Sequence, residues 1–267
     1  MNSHSWITEA LVTFALATGL AAQTKTSSVI SNIDLSKPFS TREAWRFIAT
    51  QGPPVTATAS GIGEDPGQIQ LCLRATPSSA CDPELLNALR TTSIANDYYA
   101  QPHYLNAVKI VYPRGSADRP VLFVQTASTH AGNGSQVVLT QVLAYDNSQN
   151  RFVRIYQYTT GTNENEEVRY ISSGKLKGDI ISVDPTENAP YAYWVTVSAL
   201  TPKYAYKMVL RYRSATRYGD NNPLAVIDSE MPNIQRRRGY WKPGMPLPLP
   251  SRGCPRPRLI HMELWCN

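Results

Sequence analysis

The fold class follows from residues 120–159, which read "PVLFVQTASTHAGNGSQVVLTQVLAYDNSQNRFVRIYQYT". Three runs rich in β-branched and aromatic residues are separated by the turn-forming clusters "HAGNGS" and "DNSQN". In the third run an alternation places Phe152, Arg154, Tyr156 and Tyr158 on one face of a strand. Short connections between such runs are typical of antiparallel hairpins. This stretch therefore predicts three neighbouring antiparallel strands.

The same pattern extends outward in both directions along the chain. Five further runs share the β-branched and aromatic composition: 107–113 "AVKIVYP", 167–172 "EVRYIS", 179–184 "DIISVD", 191–200 "YAYWVTVSAL" and 204–213 "YAYKMVLRYR". Eight strands at this spacing predict a mainly β protein, an antiparallel β-sandwich or a barrel-like domain. No regular repeat favours a propeller. We assign the antiparallel β core to residues 101–232.

Residues 23–100 are predicted to add two short helices before this core. Ser40 and Glu43 form a capping-box pattern that would open a helix over "REAWRFIAT", residues 42–50. Asp82 followed by Pro83 and Glu84 would open a second helix over "PELLNALRTT", residues 83–92. A strand is expected between them in "GQIQLCLRAT", residues 67–76.

Composition and the N-terminus predict an exported protein. Charged residues make up only 17% of the chain, against 15 tyrosines and 20 prolines, which suits a β-rich protein outside the cytosol. Residues 10–22, "ALVTFALATGLAA", form an apolar run too short to span a bilayer. We interpret residues 1–22 as a signal peptide, although no Lys or Arg precedes Lys25; the alternative is a buried N-terminal helix. The expected location is periplasmic or secreted, in a protein that is not integral to a membrane and whose residues 23–267 form one domain.

Four cysteines follow the apolar run, at Cys72, Cys81, Cys254 and Cys266. An even number in an exported protein indicates disulfides, and four cysteines allow three pairings. We favour the two local pairs, Cys72–Cys81 and Cys254–Cys266, each worth about 2–3 kcal/mol by loop entropy. A zinc site that includes His261 is the rival interpretation, but neither spacing is Cys-x-x-Cys.

The C-terminal residues 233–267 are predicted to form a basic, proline-rich strap over the β core. Prolines alternate between Pro243 and Pro250, which favours an extended, partly polyproline II course. Seven of the last 33 residues are basic and one is acidic, so most of the net charge of +6 lies here.

The predicted ligand-binding residues combine three arginines with two aromatic side chains: Arg236, Arg237, Arg238, Tyr240 and Trp241. Such a patch can bind an anionic glycan or another envelope component, whereas nucleic acid is disfavoured in an exported protein. Alternatively, the arginines pair with acids on the β core.

Residues 216–232, "TRYGDNNPLAVIDSEMP", are the densest group of acidic and amide side chains. Asp220 and Asn222 could contribute oxygen ligands to calcium, the one cofactor that the sequence suggests. The spacing does not match the EF-hand loop, and Pro223 interrupts it. The alternative is a turn in which these side chains bond to their own backbone.

Asp228 and Glu230 are candidate catalytic carboxylates. On a strand they would share one face with about 6–7 Å between their Cα atoms, as a pair for glycoside hydrolysis could. "VIDSEMP" resembles the Glu-x-Asp-x-Glu strand of laminarinase-like jelly-roll glycosidases over those few residues. The resemblance implies a nucleophile at the position of Val226, so the set would be incomplete. Ser229 and Glu230 can equally cap a helix that starts near Pro232.

His130 is the third catalytic candidate, as a base for Ser128 or Ser135 in the predicted loop "STHAGNGSQ". No Gly-x-Ser-x-Gly motif accompanies it. Strand aromatics such as Tyr193, Trp194 and Tyr206 could form a sugar-stacking face, but paired core aromatics are the commoner arrangement.

No catalytic set is complete, so we predict a non-enzymatic binding protein of the envelope or secreted space. Its ligand would be an anionic or glycan molecule or a protein partner. One alternative is a secreted, glycosidase-like hydrolase that uses the carboxylate pair. The other is an inhibitor or immunity-type protein that blocks a secreted toxin, for which the sequence offers no motif.

Overall fold

The computed structural model describes residues 26–56, 63–82, 101–113, 119–130, 135–161, 165–187, 193–216, 221–251 and 253–266. Within these residues the protein is mainly β, with antiparallel sheets and a few short helices. The arrangement is sandwich-like, as predicted. All eight strands expected between residues 104 and 213 are present.

The first sheet contains β1 (Ser28–Asp34), β2 (Arg46–Gln51) and β5 (Ile69–Arg74), in that order. A short ladder of β3 (Val55–Thr56) and β4 (Glu64–Asp65) lies between β2 and β5 in the chain. One four-residue helix, α1 (Ser36–Phe39), joins β1 to β2.

The helix predicted over residues 42–50 is wrong, because most of this stretch forms β2. Trp45, Phe47 and Ala49 are buried at alternate positions, which is the period of a strand and not of a helix. Ser40 does not cap a following helix; it ends α1 in a left-handed conformation with φ of 48°. The second predicted helix, over residues 83–92, lies outside the described residues.

The second and third sheets are two consecutive four-stranded meanders. The second sheet contains β6 (Tyr104–Val111), β7 (Val121–Ala127), β8 (Val138–Asp146) and β9 (Arg151–Thr160). The third contains β10 (Glu167–Tyr170), β11 (Ile180–Pro185), β12 (Tyr193–Leu200) and β13 (Tyr206–Arg213). In each sheet, strands that are adjacent in sequence are adjacent in space.

The second sheet lies between the other two. Leu122, Val124 and Leu143 pack in one cluster with the first sheet. The alternate residues Val121 and Phe123 pack in another cluster with the third sheet. Burial on both faces explains why β7 and β8 carry apolar side chains on both faces and do not simply alternate between apolar and polar residues.

A β-bulge in β9 overturns the predicted facing of its side chains. Tyr156 lies opposite Val142 and Arg154 opposite Leu143, so Ile155 is an extra residue in the ladder. Phe152 therefore packs toward the first sheet, whereas Tyr156 and Tyr158 pack toward the third.

The C-terminal part covers the outer face of the third sheet. Helices α2 (Val226–Ser229) and α3 (Met231–Arg237) bury Val226, Ile227 and Ile234 against that face. The strap then runs to a hairpin of β14 (Pro257–Ile260) and β15 (Glu263–Cys266), which contacts both helices. No helix within the described ranges is long and apolar enough to cross a membrane.

Both predicted disulfides are present. Cys72 in β5 is bonded to Cys81, and Cys254 is bonded to Cys266 in β15. No cysteine is free, so the zinc interpretation is wrong. The second disulfide closes the end of the strap onto the C-terminal hairpin.

Candidate functional site

Glu230 is a structural acceptor at the junction of α2 and α3. Its side chain is fully buried and accepts hydrogen bonds from Tyr212 Oη (2.7 Å), Thr216 Oγ1 (2.7 Å) and Asn233 Nδ2 (3.1 Å). Burial, followed by the neighbouring Glu230 carboxylate, raises the pKa of Tyr212 far above its usual value. The carboxylate is therefore enclosed by donors of the fold itself.

Asp228 lies on α2 and not on a strand, so the expected strand geometry of the Asp228–Glu230 pair is wrong. The apolar positions Val226, Ile227 and Ile234 follow a helical period that faces the third sheet. Asp228 Oδ1 accepts a hydrogen bond of 2.6 Å from Arg169, whose Nε lies 2.6 Å from Glu167 Oε1. The stretch that resembles the laminarinase-like strand thus forms two helical turns. Its Asp228 bonds to Arg169 in β10, and its Glu230 bonds to Tyr212 in β13, to Thr216 and to Asn233.

Asn222 is held by the fold, and Asp220 lies outside the described residues. The Asn222 side-chain amide donates to Ser229 Oγ and to the Leu264 carbonyl, both at 2.9 Å. Its Oδ1 accepts from the Leu224 backbone N–H at 3.1 Å, as in the turn alternative. The amide therefore ties the start of α2 to the C-terminal hairpin.

His130 is exposed and contacts Tyr104, with 5.4 Å between ring centroids in an edge-to-face arrangement. Ser128 is buried, donates to the Thr129 carbonyl at 2.7 Å and accepts from the Val137 N–H at 3.0 Å. The Ser128 hydroxyl, one of the two that His130 was expected to activate, is therefore engaged in hydrogen bonds within its own loop.

The predicted binding run at the end of α3 divides into different environments. Arg236 is exposed, with a weak hydrogen bond of 3.4 Å to Asn233. Arg237 stacks over the Tyr212 ring at 4.3 Å. Trp241 is buried and donates from Nε1 to the Pro246 carbonyl at 3.0 Å, which folds back the start of the strap. Of the five predicted residues, Tyr240 lines a cleft, and Arg238 contacts Asp179 and Tyr240 in its lining.

This cleft has a volume of about 150 Å³. It is lined by residues from the β10–β11 connection, the end of β12, the start of the strap and the end of β6: Lys175, Lys177, Gly178, Asp179, Leu200, Tyr240 and Pro113. Arg238 borders it through Asp179, with 4.0 Å between Arg238 Nη2 and Asp179 Oδ2. We call this set, with Arg238, the basic cleft.

The connection between β10 and β11 holds the two lysines in place. Its backbone is closed by hydrogen bonds from Ile171 to Asp179 and from Gly178 to Ile171 (2.9 and 2.8 Å). Leu176 is almost fully buried in the cluster under α2 and α3, so Lys175 and Lys177 on either side are exposed. Gly178 has φ of 95°, which favours glycine. Tyr206 Oη donates to the Gly178 carbonyl at 2.9 Å and fixes this corner to β13.

The end of α3 brings Arg238 and Tyr240 to the same place. Gly239 follows the helix with φ of 72°, and its N–H bonds to the Arg236 carbonyl at 3.0 Å. The Tyr240 N–H bonds back to the Gln235 carbonyl at 2.8 Å. This left-handed termination reverses the chain, so that the Tyr240 ring lies 5.5 Å from the Arg238 guanidinium.

Two residues that interact with Asp179 each have a polar atom that is incompletely bonded. Arg238 Nε and Tyr170 Oη are buried without a hydrogen-bond partner among the described residues. Burial raises the pKa of Asp179 to about 6, and Arg238 opposes that rise. Burial also raises the pKa of Tyr170 to about 12, with the Asp179 charge as a second cause. The charge of the cleft therefore changes near pH 6 at one group, Asp179, and remains net positive in both states.

Lys175, Lys177 and Asp179 were missed by the sequence reasoning, which treated "SSGKLKGD" as a connecting loop. A signal was present: two lysines flank one leucine between glycines. A buried leucine at that position requires both neighbours to point outward. The approach of Arg238 to Asp179 has no local signal, because 59 residues separate them.

The aromatic side chains of the strands mainly make packing and hydrogen-bond contacts within the fold and not an open sugar-stacking surface. Tyr193 is fully buried, and Trp194 is covered by the Arg211 guanidinium at 4.5 Å. Tyr158 donates to Asp184 at 2.6 Å. Tyr206 is engaged as described above.

Known proteins supply no further assignment. No protein-family model matches the chain, and a search of curated proteins finds no match.

Proposed function

We propose that the protein is a non-enzymatic binding protein that holds an anionic group in the basic cleft. The observation that carries this proposal is the convergence of Lys175 and Lys177 on one small concave site. Among the described residues, Asp179 is the one carboxylate of its lining, and Arg238 approaches Asp179 to 4.0 Å. Cations that surround a cavity raise the local concentration of anions and form charge-assisted hydrogen bonds with them.

The size and lining of the cleft suggest the class of ligand. A volume of about 150 Å³ holds a few water molecules at about 30 Å³ each. It suits one carboxylate, sulfate or phosphate group, or one acidic sugar unit, better than a long segment of polymer. The Tyr240 ring, Pro113 and Leu200 add apolar surface, which suits the ring of an acidic sugar. An anionic glycan of the envelope is therefore our preferred ligand.

The two disulfides support a place in an oxidising compartment, since such bonds persist mainly outside the reducing cytosol. A periplasmic or secreted location fits this chemistry and the composition of the chain. Acidic glycans are accessible anions in those compartments.

Binding is a better fit than hydrolysis to the state of the candidate catalytic groups. Glu230 is buried among three donors, and Asp228 is paired with Arg169. A general acid or a nucleophile must reach its substrate, and neither carboxylate lines the basic cleft.

The test is isothermal titration calorimetry with sulfate and D-glucuronate as probes, and glucose as the uncharged control. We expect Arg238→Gln and Lys177→Gln each to weaken binding of both anions by about tenfold or more, since a hydrogen bond to a charged group contributes about 1.5–3 kcal/mol. The matched control is Arg236→Gln, which removes an exposed cation near the same end of α3 that contacts Asn233, whereas Arg238 contacts Asp179.

Two outcomes would overturn the proposal. One is the absence of measurable binding of both anions to the wild-type protein. The other is an equal loss of affinity in Arg236→Gln and Arg238→Gln, because a general surface field would then replace the cleft as the cause.

A further inference from the structure

We propose that the basic cleft takes up its anion together with a proton on Asp179, so that binding strengthens in mildly acidic surroundings. This inference rests on the proposed function, because it assigns a regulation to the same site. It starts from a geometric conflict, since Asp179, the one carboxylate among the described residues that line the cleft, lies where an incoming anion would be held.

Asp179 competes with the ligand for Arg238. The two side chains are 4.0 Å apart at their nearest charged atoms and are both largely buried, with exposed fractions of 13% and 22%. While Asp179 is ionised, it partly neutralises Arg238 and repels an anion. Once Asp179 is protonated, it no longer neutralises the charge of Arg238. The carboxyl O–H can then donate a hydrogen bond to the anion. The same proton thus removes a repulsion and adds a hydrogen bond.

Within the part of the chain that the structure describes, the elements around Asp179 supply no second group that would hide this effect. The charged and titratable groups near Asp179 come from the β10–β11 connection, α3, β10, the β12–β13 region and the strap: Lys175, Lys177, Arg238, Tyr170, Tyr204, Tyr206 and Tyr240. Lysines and arginines keep their charge between pH 5 and 8. Burial raises the pKa of Tyr170, Tyr204 and Tyr206, so these hydroxyls stay neutral over the same range.

The sign of the pH dependence follows from linkage. In the folded protein without a bound anion, burial raises the pKa of Asp179 to about 6. A bound anion disfavours the ionised carboxylate and raises this pKa further. The protein therefore takes up a proton on binding at neutral pH, and affinity rises as the pH falls toward 6 and levels off below it.

The experiment measures sulfate and D-glucuronate binding to the intact protein at pH 5.0, 6.0 and 7.5. Both probes remain ionised over this range. We expect affinity to be about tenfold higher at pH 5.0 than at pH 7.5, which corresponds to a rise of one unit in the Asp179 pKa on binding. Titrations at pH 7 in two buffers of different ionisation enthalpy should show uptake of a fraction of one proton.

Asp179→Asn should remove the pH dependence and bind at pH 7.5 about as tightly as the wild-type protein does at pH 5.0. The matched control is Asp184→Asn. Asp184 is another half-buried aspartate whose pKa is raised by burial, but it accepts from Tyr158 and does not line the cleft. This control should keep the wild-type pH profile.

The possible results separate the two proposals. Failure of both probes to bind the wild-type protein at every pH overturns the proposed function and this inference with it. Binding that is equal at pH 5.0 and 7.5, or a pH profile unchanged in Asp179→Asn, overturns this inference alone. The buffer comparison uses only wild-type protein, so absence of proton uptake overturns it even if the variant does not fold.

Discussion

Two acids lie at opposite ends of α3 and differ in how their charge is compensated. The buried Glu230 directly precedes the helix, and the largely buried Asp179 faces Arg238 directly after it. Glu230 accepts hydrogen bonds from three side chains within 3.1 Å. Asp179 has one cation at 4.0 Å, with two unbonded polar atoms nearby. A carboxylate whose oxygens accept hydrogen bonds from the surrounding fold stabilises the structure. A carboxylate whose charge is incompletely compensated remains available to a ligand or a proton. The density of acids in a sequence does not distinguish the two.

Among the substitutions that test this difference, those at Glu230 are expected to change the free energy of unfolding most. Glu230→Ala should lower the free energy of unfolding by about 3–5 kcal/mol, because three buried donors lose their acceptor at once. Glu230→Gln keeps the volume and one acceptor oxygen and should lose about 2 kcal/mol. Urea denaturation followed by fluorescence measures both values. A loss below about 1 kcal/mol in Glu230→Ala would contradict the structural assignment of this carboxylate.

An intermediate loss of stability is expected at Arg169, a partly exposed cation that Glu167 and Asp228 share. Arg169→Met keeps most of the aliphatic stem but leaves Asp228 and Glu167 without their shared cation. We expect a loss of about 1–2 kcal/mol in the same denaturation assay, less at high salt because exposed ion pairs are screened. Arg236→Met is the control, since Arg236 forms one weak contact. Equal losses in the two variants would show that the Arg169 pairs are not structural, and Asp228 would return as a catalytic candidate.

The strands were predictable from the sequence because their pattern is local. Each of the eight runs carries β-branched residues between turn-forming clusters, and seven of them also carry aromatic residues. Short connections force antiparallel neighbours. The disulfides were predictable for the same reason, since each joins cysteines close in the chain.

Other features could not be predicted because tertiary context overrides local signals. Ser40 and Glu43 match a capping box, yet burial of Trp45, Phe47 and Ala49 selects a strand. The bulge at Ile155 depends on the register with β8, which the sequence of β9 does not contain.

The candidate site was predictable only in part. Arg238 and Tyr240 lie in the conspicuous cationic run, but their neighbours Arg237 and Trp241 are taken up by contacts with Tyr212 and Pro246. Lys177 and Asp179 lie in an inconspicuous loop and meet Arg238 only through packing of α3 on the third sheet. A site assembled from two distant segments leaves no spacing pattern in either one.

The smallest effect should have the opposite sign from that at Glu230. Burial raises the pKa of Asp179 from its model-peptide value of 3.8 to about 6 in the folded protein. The stabilisation that comes from proton binding is complete below pH 3.8 and is lost as the pH rises through 6, so the ionised carboxylate destabilises the wild-type fold above that pH. Asp179→Asn removes this cost. After allowance for solvent screening and for the lost attraction to Arg238, we expect the variant to be more stable by about 1 kcal/mol at pH 7.5.

The difference between Asp179→Asn and the wild-type protein should be largely lost at pH 4, where the aspartate of the folded protein is neutral. Urea denaturation at pH 4.0 and 7.5 measures it directly. Glu230→Gln, the same change from acid to amide, is expected to destabilise the protein at pH 7.5 because its oxygens serve three donors. If Asp179→Asn also destabilises the protein at pH 7.5, then the Arg238 pair compensates Asp179 as fully as the three donors compensate Glu230, and the contrast between the two acids is lost.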